Sequence, residues 1–167
     1  MDPVTVSIIV DAPREQVFDY LQDIANHPEF TDHYLVDWRL TREDSYGAGA
    51  GARFRVKTPI NGRFAWGDMT FAEVRPPFRI VERGRGGKFN RVKMLGTYEL
   101  VEDAHDSQSC QVTYTYESDP QVPSDRLAEF FGGRSWTRRQ AAKAMRRLRS
   151  ILEDGTRRGA KPTVAGG

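Results

Sequence analysis

The sequence predicts an α+β fold, with seven antiparallel strands curved over one long C-terminal helix and two short helices after the first strand. Three observations carry this. An alternating run at the N-terminus passes at once into a helical pattern. The middle of the chain is a series of alternating segments separated by turn residues. From Ser124 the apolar period changes from two to that of a helix. At 167 residues the chain suits one domain with a real core.

Val4, Val6, Ile8 and Val10 alternate with Thr5 and Ser7, which is the period of a strand. Asp11 is placed to cap a helix, with Pro13 in its first turn. Val17, Phe18, Leu21 and Ile24 follow at helical spacing. Asn26-His27-Pro28 stops that helix, because proline disfavours helical geometry in the residue before it. A second short helical turn runs through Glu29 and Phe30.

Six strands follow. HYLVDWRLTRE places Tyr34, Val36, Trp38 and Leu40 on one face. YGAGAGA is a glycine-rich connection. RFRVK points Phe54 and Val56 inward, and PING turns the chain. RFAWGDMTFAEV is a long strand ended by Pro76-Pro77. FRIVERG follows, ended by GRGGKFN. VKMLGTYELVE and CQVTYTYES are the last two strands, joined by the polar loop DAHDSQS.

Ala141, Met145, Leu148 and Leu152 form one helical stripe, and Gly155 is a natural stop. Gly132-Gly133 interrupts the segment that begins with Leu127, Phe130 and Phe131. Two glycines cost roughly 2 kcal/mol of helix propensity relative to alanine, so a break is expected there. It could let this end of the helix act as a gate. A six- or seven-stranded sheet bent around a single stripe leaves volume beneath it. Where side chains do not fill that volume, it is a pocket.

Composition narrows the function. No apolar run approaches the roughly 20 residues that cross a bilayer, and mean hydropathy is -0.62. MDPVTV lacks the basic and apolar regions of a leader. Cys110 is the only cysteine, which excludes an internal disulfide and paired-cysteine metal sites. A cytoplasmic location is the simplest reading. Three scattered His give no metal spacing, there is no phosphate-binding glycine loop, and no cofactor is expected. Residues 132–161 carry ten of the 25 Lys/Arg but two of the 23 acidic residues. Such a segment could meet an anionic surface. Trp136 is the only aromatic within its basic run, however, so nucleic-acid binding is not expected. A homodimer is compatible with the sequence.

VSIIVDAPREQVFDYLQDIANHPEF, EVRPPFRIVERG, GTYELVED and QVTYTYES resemble the START-like helix-grip superfamily. More narrowly, they resemble its polyketide cyclase/dehydrase and lipid-transport branch, from about residue 4 to residue 155. His27 stands where family members commonly carry Trp. RRGAKPTVAGG marks 156–167 as a flexible tail, and the resemblance implies a single START-like ligand-binding domain over 1–155. It also implies that the first strand pairs with the last.

The inward faces inferred from alternation are rich in rings. Tyr34, Trp38, Phe54, Phe64, Trp66, Phe78, Tyr114 and Tyr116 are candidates to line a cavity for a hydrophobic ligand. Arg134 and Arg138 continue the helix stripe backwards and could meet a ligand carboxylate or the acidic residues of the sheet, with Met145 further along it. Asp68 shares a strand face with Phe64 and Trp66. A carboxyl among rings would have its ionised form disfavoured and could act as a general acid or base. His33, near the cavity mouth, and Tyr98 complete a candidate catalytic set. His27 and His33 could each move a proton near neutral pH, against the alternative of a surface or capping role.

Two functions compete. The first is binding of a small hydrophobic molecule, such as a lipid, an isoprenoid or a polyketide-like compound. The second is a cyclase or aromatase whose cavity folds a poly-β-ketone chain and assists enolisation and water loss. Relatives with that activity tend to carry an Arg on the strand that here reads WGDMTFAEV, and this chain has none there.

Overall fold

The computed structural model describes residues 2–57, 62–128, 132–155, 159 and 161–164. Pro59, Ile60 and Asn61 of the expected turn lie outside them, as do Phe130 and Phe131.

Strand β1 (Val4–Val10) leads into helix α1 (Arg14–Leu21), which buries Val17, Phe18 and Leu21 on one side. Pro13, rather than Asp11, is the residue before its first turn. Asp11 instead accepts from Ser109 Oγ (3.2 Å), and its amide donates to Glu153 (2.9 Å). A single 3-10 turn (Ile24–Asn26) is capped by the Asp23 carboxylate, which accepts from the Ala25 amide at 3.0 Å. Helix α2 (His27–Thr31) follows, and every residue of it is buried.

Strands β2 (Leu35–Leu40), β3 (Gly51–Lys57), β4 (Phe64–Arg75), β5 (Arg79–Gly86), β6 (Val92–Glu102) and β7 (Cys110–Pro120) pair successively as an antiparallel meander. β1 pairs with β7, with Val4 opposite Tyr116 and Val10 opposite Cys110. Helix α3 (Pro123–Ala128) and helix α4 (Arg134–Asp154) come next. Gly132, just before α4, adopts φ 124, outside the helical region, and residues 129–131 between the two helices lie outside the described ones. Gly155, at φ 65, stops α4 and donates its amide to Ile151 O.

The sheet has eight strands rather than seven, in the order β1-β7-β6-β5-β4-β3-β2-β8. The added strand, β8 (Thr163–Val164), lies in the segment expected to be a flexible tail. It runs parallel to β2 at Arg39 and Leu40. The approach to it is fixed where the Gly159 amide donates to Glu29 O (3.2 Å). Two further departures have local causes. β2 is bulged between Val36 and Arg39, and Asp37 adopts φ 53. The extra residue shifts the alternation, so Leu35 is buried together with Trp38 and Leu40. β5 also continues through Gly84 to Gly86, where a turn had been expected.

The core lies between the sheet and the C-terminal half of α4. Phe18, Phe30, Phe54, Phe71, Ile80, Met145 and Leu148 are among its fully buried side chains. α4 is pinned laterally through Arg147, which donates to Asp32 Oδ1 (2.5 Å) and to Glu29 O (3.2 Å). No described helix is long and apolar enough to cross a membrane.

Candidate functional site

Beneath the other half of α4, glycines let strands and side chains approach one another closely. Inward positions of β4, β5 and β6 hold Gly67, Gly84 and Gly96. A Cβ on Gly67 would lie 2.9 Å from the Phe54 ring, and one on Gly84 only 1.9 Å from Asp68 O. One on Gly96 would lie 2.6 Å from Glu82 Oε2 and 3.0 Å from the Tyr114 hydroxyl. Three neighbouring strands thus leave out side chains that the space cannot hold. A hollow of about 80 Å³ remains, partly open to solvent. Phe54, Val56, Met69 and Met94 supply apolar walls, Tyr34, Tyr114 and Tyr116 supply rings, and Trp136, Thr137 and Ala141 of α4 form the cover.

Two carboxyl residues, Asp68 and Glu82, border this hollow, and Glu82 is the buried one. Glu82 follows Ile80 on the inward parity of β5 and is 3% exposed. Its Oε1 lies 3.4 Å from His27 Nδ1. Opposite charges at that distance would form an ion pair, but burial argues against ionising either group. Desolvation pushes the Glu82 carboxyl up to about 8. Burial pushes His27 down to about 4, against the opposing pull of the Leu21 carbonyl and Asp23. Near neutral pH the contact is a carboxylic acid facing a neutral imidazole. His27 Nε2 sits 2.8 Å from Leu21 O. A carbonyl only accepts, so Nε2 carries the proton and Nδ1 turns its lone pair towards Glu82.

Of the residues expected to bind ligand, Tyr34, Phe54, Tyr114 and Tyr116 line the hollow. Trp38 and Met145 are buried in the solid core instead, where Trp38 packs on Phe54 at 4.8 Å between centroids. Phe64 and Trp66 lie on the outer face of β4 and are 47% and 43% exposed. Arg55 and Arg53 stack over them at 5.2 and 5.6 Å. The rings of β4 predict the opposite parity, with Phe64 and Trp66 inward. The opposite face goes inward because the Phe54 ring fills the place of a side chain at Gly67. Phe78 is exposed beneath the Arg14 guanidinium, 4.8 Å from its ring. Arg134 is exposed and reaches back to Asp2 (3.7 Å), while Arg138 faces solvent.

The expected catalytic set is not brought together. Asp68 borders the hollow, but its carboxylate accepts from the Arg85 amide at 3.0 Å. His33 is clamped between α2 and α4. Its Nδ1 accepts from Arg147 (3.1 Å), which leaves Nε2 to donate to Gln140 O (3.3 Å). Burial above all pushes His33 down to about 4, Arg147 and Lys143 add to this, and the Gln140 carbonyl and Asp32 oppose it. Tyr98 is buried behind Tyr114, with ring centroids 4.6 Å apart. Among the described residues no cluster of His, Cys, Asp or Glu could hold a metal ion.

Glu82 and His27 are the polar groups that the candidate set lacked. The signal for Glu82 was present in FRIVERG: a charged residue on the same parity as Ile80 in an alternating strand.

A curved sheet gripping a C-terminal helix over a partly apolar hollow defines a START-like, helix-grip domain. The chain belongs to the polyketide cyclase / dehydrase and lipid transport family, whose model matches residues 1–153. Solved structures share the fold. A START superfamily protein from Mycobacterium smegmatis is 18% identical, with a TM-score of 0.63 over 92% of this chain and 99% of that one. DynU16, described as a putative protein in the dynemicin biosynthetic locus, is 16% identical, with a TM-score of 0.63 over 98% of this chain and 51% of that one. Major latex-like protein 151 of Panax ginseng is 11% identical, with a TM-score of 0.61 over 90% of this chain and 96% of that one. No curated protein matches the sequence.

Proposed function

We propose that the protein binds a small, largely apolar molecule in the hollow between β3–β7 and the N-terminal half of α4. The observation that carries this reading is an unfilled hollow whose walls are mainly apolar and aromatic, with Phe54, Met69, Met94, Tyr34 and Tyr114 among them. A space of about 80 Å³ suits a ring-sized group rather than a whole extended acyl chain. Within the lipid, isoprenoid and polyketide-like range, this favours cyclic compounds. Affinity would come from apolar burial, and the few polar groups would orient the ligand. The buried lone thiol, Cys110, fits a cytoplasmic setting.

Native mass spectrometry of protein purified from its host tests the reading. A co-bound apolar compound, released on denaturation, is the expected result. The reading fails if the protein carries no such compound and a panel of aromatic compounds leaves the hollow's resonances unmoved.

A cyclase-type reading has one observation in its favour, the Glu82 carboxyl facing the hollow with its proton held near neutral pH. In that reading Glu82, not Asp68, would protonate or deprotonate a β-ketone substrate. Turnover of such a substrate would be abolished in Glu82→Gln and retained in Asp68→Asn.

A further inference from the structure

The hollow has a polar side chain without a full partner, and its geometry indicates what a ligand must bring. This inference rests on the binding reading above and concerns selectivity.

Glu82 is buried, and its Oε1 accepts no hydrogen bond among the described residues. The polar atom facing it is His27 Nδ1, at 3.4 Å. Because Nε2–H is committed to Leu21 O at 2.8 Å, Nδ1 offers only a lone pair. Two lone pairs facing each other in a dry interior repel. The contact is favourable only when the carboxyl proton sits on Oε1 and points at Nδ1. His27 therefore positions the proton, and Oε2 is left as a bare carbonyl-type acceptor.

Oε2 lies against Gly96, where a Cβ would be 2.6 Å from it and 3.0 Å from the Tyr114 hydroxyl, and Glu82 and Gly96 both line the hollow. The ionisable groups packed around the carboxyl are His27 from α2, Tyr34, Tyr98 from β6 and Tyr114 from β7. Among the described residues no Lys or Arg pairs with the buried carboxyl; Arg83, its neighbour on β5, is exposed and borders the hollow.

We propose that Glu82 is the specificity-determining residue of the hollow: its Oε2 accepts a hydrogen bond from a hydroxyl or amine on the apolar ligand, and it rejects ligands whose polar group is a carboxylate. A hydroxyl docks without proton transfer. An ammonium group docks by ionising Glu82, whose proton leaves to water, so amine affinity rises with pH while hydroxyl affinity does not. A carboxylate has no donor to offer Oε2 and would lie against the acid's oxygens.

The experiment uses four ring probes of similar shape: phenol, benzylamine, toluene and benzoate. The readout is the methyl NMR signals of Met69 and Met94, which line the hollow. At neutral pH, phenol should bind about tenfold more tightly than toluene, the worth of one good hydrogen bond, and benzoate should be the weakest. In Glu82→Met, which replaces the acid with an apolar chain of similar length, the phenol-to-toluene ratio should fall to about one. Glu82→Gln keeps an acceptor but cannot ionise. It should keep the phenol preference and lose the pH dependence of benzylamine. Phenol and toluene binding the native protein within twofold of each other, or benzoate matching phenol, would overturn the inference and leave the cavity reading standing. No shift with any probe would bring down both.

Discussion

The C-terminal half of α4 sets Ala144, Met145, Leu148 and Ile151 into a core with no room left, against Phe18, Phe30 and Phe71. The N-terminal half of the same helix sets Trp136, Thr137 and Ala141 over a hollow. The helix and the sheet are continuous from one half to the other. What differs is how the two surfaces meet: beneath one half the side chains pack solidly, and beneath the other Phe54, Met69, Met94 and the tyrosines line a gap that they do not fill. One architecture can thus hold a stabilising end and a receptive end.

Leu148→Ala tests the packed half and should have the largest effect. It should cost about 3 kcal/mol in denaturant unfolding, whereas Thr137→Ala over the hollow should cost under about 1 kcal/mol. Equal losses would break the contrast.

The next effect is pH-dependent. Glu82 stays protonated in the fold up to about 8 but ionises near 4.5 when unfolded. Native stability should therefore fall as pH rises between those values, by on the order of a few kcal/mol. His27 gives the opposite slope: its contribution is lost as pH falls from 6.5 towards about 4. Glu82→Gln should remove only the alkaline loss. Melting temperatures of the two proteins should then diverge from pH 5 to pH 8 in the variant's favour, and parallel curves would contradict a neutral Glu82.

A smaller effect is expected at the clamp. His33→Ala removes hydrogen bonds to Arg147 and Gln140 and should cost about 1 kcal/mol, with phenol affinity unchanged within roughly twofold. A large loss of affinity would return His33 to the site. The smallest effect belongs to the outer face. Trp66→Ala, at a position 43% exposed, should change stability by no more than about 0.5 kcal/mol.

How much the sequence discloses depends on the kind of signal. Periodicity gave β6 at Val92–Glu102, and the Gly155 stop gave the end of α4 at Asp154. Both are local. The face of β4 was not local. Rings at Phe64 and Trp66 suggested the core, yet the decisive residue was Phe54 on the neighbouring strand, whose ring needs the gap at Gly67. The site divided in the same way. Tyr34, Phe54, Tyr114 and Tyr116 could be read from alternation. The Glu82–His27 contact could not, because it joins α2 to β5 across 55 residues.

The two residues of β8 have a consequence beyond their own hydrogen bonds. Without them β2 would be the rim of the sheet, with a row of unsatisfied amides and carbonyls able to recruit a strand from another molecule. The strap reaches β2 past Gly159, where a methyl group would collide with Asp32. Gly159, by leaving that carbon out, lets a short strand cover the edge of the sheet farthest from β1.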